Sequence, residues 1–282
     1  MEYSNLNLSD DVFKKLKDMI YEISGIFFSD QKKYLLETRL SKRISVLNLS
    51  NFEDYYNYLK YSPLKNTEIK ELLNSITTNE TSFFRDMPQL EVFVDVLKQI
   101  IQSSGNNAIK NIRIWSAACS TGEEPYTVGI LIKENFSSSA SGIKFEIVGT
   151  DISEKVLKSA KKGIYNGYTL RNASQAILGK YFVKTDDDEY KIKDEIKNMT
   201  TFGNVNLIDG NEVKKYGSFD IVLCRNVIIY FDAESKKKTI ENIYESLKPG
   251  GYLFLGHSES LHSISSLFKL VGLGKTPLYK KE

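Results

Sequence analysis

Apolar positions recur at helical spacing through the first 75 or so residues. In "SDDVFKKLKDMIYEISG", Phe13, Leu16, Ile20 and Ile23 share one face between a Ser/Asp start and a Gly25 stop. "SDQKKYLLETRLSKRISVLNL" places Leu35, Leu36, Leu40, Ile44 and Leu47 together, with Lys32, Lys33, Arg39, Lys42 and Arg43 assigned to the other face. "NFEDYYNYLKYS" and "TEIKELLNSIT" predict two further short helices, and the four together predict a small all-α domain over residues 1–75. From Ile112 the pattern changes. The β-branched runs "IRIWSA", "KFEIVGTD", "FDIVLCRNVIIYF" and "GYLFLGHSE" alternate with amphipathic stretches "EPYTVGILIKENF", "SEKVLKSAKKG" and "SKKKTIENIYESL". That alternation predicts right-handed βαβ units and a mainly parallel sheet over 76–282.

Three stretches depart from the alternation. "KYFVK" and "EYKIKDEI", around Asp186-Asp187-Asp188, predict a small antiparallel β insertion at about 179–203. "FKLVGLGKTPLYKK" predicts an antiparallel hairpin at the sheet edge, turning through Gly and Pro. "SSSASG" reads as a short flexible loop, and no internal repeat is found.

Composition narrows the function classes. The chain has 282 residues, 41% apolar and 26% charged, with a formal charge of +2. So small a net charge argues against nucleic-acid binding through the overall field. No apolar run is long enough for a membrane helix, and the N-terminus has no signal-peptide pattern, so a cytoplasmic setting without membrane insertion is expected. Cys119, Cys224, His257 and His262 have no ligand-like spacing, and no metal is expected.

In open α/β sheets, ligands sit beyond the carboxyl ends of the strands. Three such ends carry polar residues. "SAACSTGEEP" offers Ser116, Ala117, Ala118 and Gly122, which let a ligand approach the backbone, followed by Glu123, Glu124 and Pro125. Its carboxylates and its lack of a G-x-G-x-x-G pattern disfavour a pyrophosphate. Asp151, ending "FEIVGTD", is placed either to accept both ribose hydroxyls or to cap the helix of "SEKVLKSA". "CRNVIIYFD" brings Arg225 and Asn226 to a third strand end. A ribose-binding acid without a phosphate cradle fits S-adenosylmethionine, whose sulfonium a nearby carboxylate would help neutralise.

Six segments, taken in order, resemble the CheR chemotaxis receptor methyltransferases: "RLSKRISVLNL", "NETSFFRD", "WSAACSTGEEPYTVGI", "GTDISEKVLKSAKKGIY", "FDIVLCRNVIIYFD" and "LKPGGYLFLGHSESL". The resemblance spans nearly the whole chain. It implies an S-adenosylmethionine-dependent protein-glutamate O-methyltransferase with a Rossmann-like sheet domain. Its product would be a glutamate methyl ester on the cytoplasmic helical bundle of chemoreceptors, with S-adenosylhomocysteine released.

By motif position, the resemblance implies cofactor contacts from Asn79, Thr81, Arg85, Glu123, Asp151, Asn206, Leu207, Arg225 and Asn226. Glu123 is favoured over Glu124, which would only begin the helix. Arg85 and Tyr230 match positions that orient the reacting glutamate. Docking is assigned to Lys32, Lys33, Arg39, Lys42 and Arg43, whose bland alternative is a solvated helix face. Some members bind a receptor C-terminal peptide by strand addition beside a glycine-containing loop. Here that loop is the short acidic "KTDDDE", so direct docking on the methylation helices is expected.

The resemblance also implies a monomer in the cytoplasm, recruited to membrane receptor arrays through the receptor. Phe83, Phe84 and Trp115 read as core, and His257 as structural or pocket-lining. The competing readings are a methyltransferase for another protein and a non-catalytic module sensing the cofactor or its product.

Overall fold

A computed structural model describes residues 6–103, 110–136, 142–273 and 276–282. Residues 137–141 of the serine-rich loop and 274–275 of the C-terminal turn lie outside the described residues. The helical unit begins with α1 (Asp10–Ser24), where the Ser9 side chain accepts from Val12 N and Gly25, at φ 73°, ends the helix. After a 3₁₀ turn (Asp30–Lys32) come α2 (Lys33–Val46), α3 (Phe52–Tyr61) and α4 (Lys65–Ile76). Their shared core includes Leu16, Ile20, Leu36, Leu40, Ile44 and Leu72, all buried.

Arg43 corrects the reading of α2 as a single basic face. Its guanidinium forms a two-pronged pair with Glu68, which is only 4% exposed, and the Tyr55 hydroxyl donates to the same carboxylate at 2.9 Å. Burial and the Glu68 charge push the Tyr55 phenol up. The physical reason is angular: Arg43 follows Leu36 by seven residues and Leu40 by three, so it shares their side of the helix.

The α/β unit opens with α5 (Met87–Gln102), a helix the pattern left unassigned, whose Pro88 occupies the first turn. There follow β1 (Lys110–Ala117), α6 (Glu123–Phe136), β2 (Ile143–Asp151), α7 (Glu154–Lys162), β3 (Ile164–Tyr165), α8 (Gln175–Tyr181), β4 (Phe182–Lys184) and β5 (Tyr190–Ile192). The chain continues through α9 (Asp194–Lys197), β6 (Thr200–Asn204), α10 (Gly210–Lys214), β7 (Phe219–Cys224), a 3₁₀ turn (Ile228–Tyr230), α11 (Ala233–Ser246), β8 (Leu247–Leu255), β9 (Lys269–Leu273) and β10 (Thr276–Lys280).

Seven strands form one sheet in the order β6-β2-β1-β7-β8-β10-β9. The first five are parallel, and β10 runs antiparallel to both β8 and β9, forming the C-terminal hairpin. Helices cover both faces. Trp115 is fully buried, stacks on Phe219 at 5.3 Å and donates to Thr150 Oγ1 at 2.9 Å. Phe83 is equally buried, edge-on to Tyr165 and Phe182, so both aromatics are core as the sequence suggested.

The small antiparallel sheet has the order β3-β5-β4 and draws Ile164–Tyr165 into the excursion. At its far end Thr200–Asn204, which the sequence placed inside the insertion, is instead the edge strand β6 paired with β2.

The two units meet over the strand ends. Phe27 N donates to Tyr230 O at 2.9 Å beside an antiparallel bridge between Ile26 and Phe231. Asn206 Nδ2 donates to Ile23 O at 2.8 Å, and Tyr21 Oη reaches both Asp232 oxygens at 3.1 and 3.2 Å. On the other side Ser153 Oγ lies 2.8 Å from Asn74 Oδ1, and Lys70 pairs with Glu154 at 2.7 Å.

Candidate active site

The order of parallel strands reverses between β1 and β7, and the crevice beyond their carboxyl ends is where a doubly wound sheet binds ligands. A cavity opens there and is closed from above by the helical unit. Asn79, Thr81, Arg85, Asp151, Asn206, Leu207, Arg225, Asn226 and Tyr230 all line it, and so do Lys32 and Arg39. Glu123, Lys33, Lys42 and Arg43 do not.

The turn after β1 shapes one wall. Ala118, Ser120 and Gly122 have φ of 61°, 50° and 95°, so the backbone coils tightly. Two of these are not glycine, and such strain clusters where function demands a particular backbone path. Ser120 N donates to Asp151 Oδ2 at 2.9 Å, and Ser120 Oγ donates to Asn79 O at 3.0 Å. The turn thereby joins the end of β2 to the "NETSFFR" segment.

Asp151 is 6% exposed, and burial raises its carboxyl above the usual range although Ser153 N and Ser120 N both donate to it. The cap of α7 is Ser153, whose side chain accepts from Val156 N. Asp151 is therefore not the helix cap, which leaves it on the cavity wall.

The adjacent glutamates separate cleanly. Glu123 is 1% exposed, accepts from Thr121 Oγ1 at 2.6 Å, and is pushed up to about 7 by burial. Glu124 is the one that lines the cavity. Ser116 Oγ donates to its Oε1 at 2.7 Å, and Arg225 Nη1 to its Oε2 at 2.8 Å. Glu123 was expected on the cavity wall, and Glu124 is the one of the two that stands there.

Arg225 is buried and bonded to the protein from all three of its nitrogens. Besides Glu124, its Nε donates to Gln89 Oε1, and its Nη2 donates to Arg85 O at 2.8 Å and sits 3.8 Å from Asp86. Gln89 in turn donates to Leu255 O at 2.7 Å. This network fixes the turn bearing Arg85, whose neighbours Phe84 and Asp86 both have left-handed φ, 53° and 63°. The Arg85 side chain stays half-buried at the cavity, with Nη1 donating to Glu80 O at 3.1 Å.

Two contributors escaped the sequence reading. Gln89 sits in the helix that the pattern did not separate. Glu259, in "GHSES", is 4% exposed and accepts from Asn226 N and Gly256 N, both at 2.7 Å, whereas His257 beside it is exposed. No residue-type signal marks Glu259, because its partners are backbone N–H groups.

The basic residues split by position. Arg39 lines the cavity but is tied to Ile76 O and, at 2.9 Å, to Thr78 Oγ1. Lys33 pairs with Asp10 at 2.5 Å. Lys32 and Lys42 are exposed, and neither side chain has an ion pair among the described residues.

The donor set suits S-adenosylmethionine. An acid ends β2, a second carboxylate stands by the β1 turn, Asn206 and Asn226 supply amides, and the small residues Ala118 and Ser120 keep the wall close. No group of three or more His, Cys, Asp or Glu side chains suited to a metal occurs among the described residues. No helix among them is long and apolar enough to cross a membrane.

A mostly parallel doubly wound sheet, edged by one antiparallel strand and presenting this wall at its switch point, is the architecture of an S-adenosylmethionine-dependent methyltransferase. Comparison with known proteins narrows the class. Residues 79–276 match the family described as CheR methyltransferase, SAM binding domain, and residues 11–77 match CheR methyltransferase, all-alpha domain. The chain is 37% identical over 275 residues to chemotaxis protein methyltransferase 2 of Vibrio cholerae, covering 97% of this chain and 94% of that protein. It is 35% identical over 264 residues to the chemotaxis protein methyltransferase of Borreliella burgdorferi, with 93% of each covered. The Escherichia coli chemotaxis protein methyltransferase is 34% identical over 273 residues, covering 95% of this chain and 90% of that one. The chain belongs to the CheR methyltransferase family.

Proposed function

We propose that this protein transfers a methyl group from S-adenosylmethionine to glutamate side chains on the cytoplasmic helical bundle of chemoreceptors. The products are glutamate γ-methyl esters, which serve chemotactic adaptation, and S-adenosylhomocysteine. The observation that carries the reading is that one cavity gathers Asp151, Glu124, Asn206 and Asn226 on the same walls as Arg85 and Tyr230.

When bound, S-adenosylmethionine supplies a methyl group on a positively charged sulfur, an activated leaving group. Asp151 would hold the ribose, Asn206 and Leu207 the adenosine, and Glu124 would offset the positive charge. Asn79, Thr81 and Asn226 complete the pocket, and Arg225 serves it by fixing Glu124 and the turn that bears Arg85.

The reacting glutamate, with a reference pKa of about 4.3, is already ionised at neutral pH and needs no general base. What remains for the protein is alignment and exclusion of water. Arg85 orients the carboxylate without a tight two-pronged pair, which would blunt its attack, and Tyr230 bounds it from the other side.

The partner surface is electropositive at Lys32 by the cavity mouth and at Lys42 on the outer side of α2. Local positive charge steers and registers an acidic helical bundle. The protein acts as a monomer in the cytoplasm and reaches receptor arrays by binding the receptor's methylation helices directly.

The test uses radiolabelled cofactor and purified receptor cytoplasmic domain, followed by mild alkali. Volatile labelled methanol is expected, because a glutamyl ester hydrolyses and a methylated nitrogen does not. Tight cofactor binding with no transfer would favour a sensing module instead.

A further inference from the structure

We propose that Glu259 is a positioning residue for methyl transfer, holding the segment from Asn226 to Tyr230 against the cavity. The proposal rests on the methyl-transfer reading above. Glu259 is 4% exposed and has no basic partner among the described residues. Two of its three backbone partners lie on one loop. Oε2 accepts from Asn226 N and from Gly256 N, each at 2.7 Å, and Oε1 accepts from Ile229 N at 3.3 Å.

Burying a carboxylate without a counter-ion is expensive unless charge-assisted hydrogen bonds compensate. A residue needed only to fill space there would be apolar. The charge is used to grip both ends of a four-residue turn. The first residue, Asn226, sits at φ 60°, a conformation a non-glycine residue keeps only when its surroundings enforce it.

Gly256 supplies the matching absence. A Cβ on Gly256 would lie 2.7 Å from Glu259 Oε2 and 2.8 Å from both Asn226 nitrogens. Glu259 N also donates to Gly256 O at 2.9 Å, closing a tight G-x-x-E turn after β8 around the Asn226 amide. Beyond the gripped turn, Tyr230 N donates to Val227 O at 3.1 Å, and Tyr230 O accepts from Phe27 N of the helical unit. The carboxylate therefore anchors one end of a chain of contacts that runs through Asn226 on the cofactor side to Tyr230 on the substrate side.

The test is Glu259→Gln, nearly equal in shape. Gln turns an NH₂ toward one set of backbone N–H groups, so that part of the grip is lost. We expect kcat for receptor methylation to fall on the order of tenfold or more, because small misplacements of aligning groups cost that much. The receptor KM should stay within about threefold, since an interaction used only for alignment leaves receptor binding intact.

Amide hydrogen exchange at Asn226 and Ile229 should quicken relative to the rest of the sheet, a readout independent of activity. In a Tyr230→Phe background, the kcat penalty of Glu259→Gln should shrink, because two residues acting as a unit are not additive. Gly256→Ala, which presses on the same loop from the other side, should reproduce the kcat loss if Glu259→Gln fails to fold. Unchanged exchange at Asn226 and Ile229 would overturn the proposal. So would a kcat loss that only tracks the folded fraction, or penalties that multiply independently. Wild-type protein that forms no alkali-labile ester refutes the parent reading, while the exchange data still decide whether Glu259 grips the loop.

Discussion

Arg225 donates from Nη1 to Glu124 at 2.8 Å, joining the end of β7 to the first turn of α6 across the switch point of the sheet. The pair fixes the Glu124 carboxylate on the cavity wall, and Ser116 secures its other oxygen. Neutralising it by Glu124→Gln should weaken S-adenosylmethionine about tenfold, the scale of one charge-assisted contact. Glu123→Gln should leave that affinity unchanged. Calorimetric titration of both variants checks the assignment, and equal losses would contradict it.

Glu123 has its own signature in the pH dependence of stability. Its folded-state value is about 7 against an ordinary 4.5, because burial disfavours the charged form. The folded protein therefore binds the proton more tightly than the unfolded chain. The resulting stability is complete below about pH 4.5 and is lost as the pH climbs to about 7. At about pH 8, Glu123→Gln should be more stable than wild type by up to about 3 kcal/mol, with little difference at about pH 4. Denaturant melts at the two pH values measure this.

Arg43 and Lys42 are neighbours in sequence with opposite expected behaviour. Arg43→Ala leaves Glu68 buried without its partner and should destabilise the protein by roughly 3–5 kcal/mol. Lys42→Glu lies on the exposed side and should change stability by less than about 0.5 kcal/mol. It should instead raise the KM for the receptor several-fold and flatten its salt dependence. Melts paired with receptor titrations at two ionic strengths separate the two roles.

These contrasts mark where the sequence was legible. Ser9 and Gly25 announced both ends of α1, and the alternation from Ile112 onward announced a parallel sheet with a C-terminal hairpin, as observed. The inward turn of Arg43 was readable too, from its three- and seven-residue spacing to Leu40 and Leu36. The Glu123 and Glu124 choice was of another kind. Successive helical residues point about 100° apart, and the one facing the cavity is set by Arg225, 101 positions away. Likewise β6, "TTFGN", carries little apolar alternation because it is an edge strand paired on one side only. Glu259 was hidden because its partners are backbone amides, which leave no trace in residue identity.

Esterification of glutamates at this cavity can be read out on the substrate itself. The direct measurement is mass spectrometry of a chemoreceptor cytoplasmic domain after incubation with methyl-deuterated cofactor and wild-type, Arg85→Ala or Tyr230→Phe protein. Labelled methyl groups are expected on glutamate side chains with wild type. Both variants should fall by on the order of tenfold or more in rate, with the cofactor still bound by Tyr230→Phe. Label on lysine, arginine or histidine, or full rates from both variants, would contradict esterification of glutamates at this cavity.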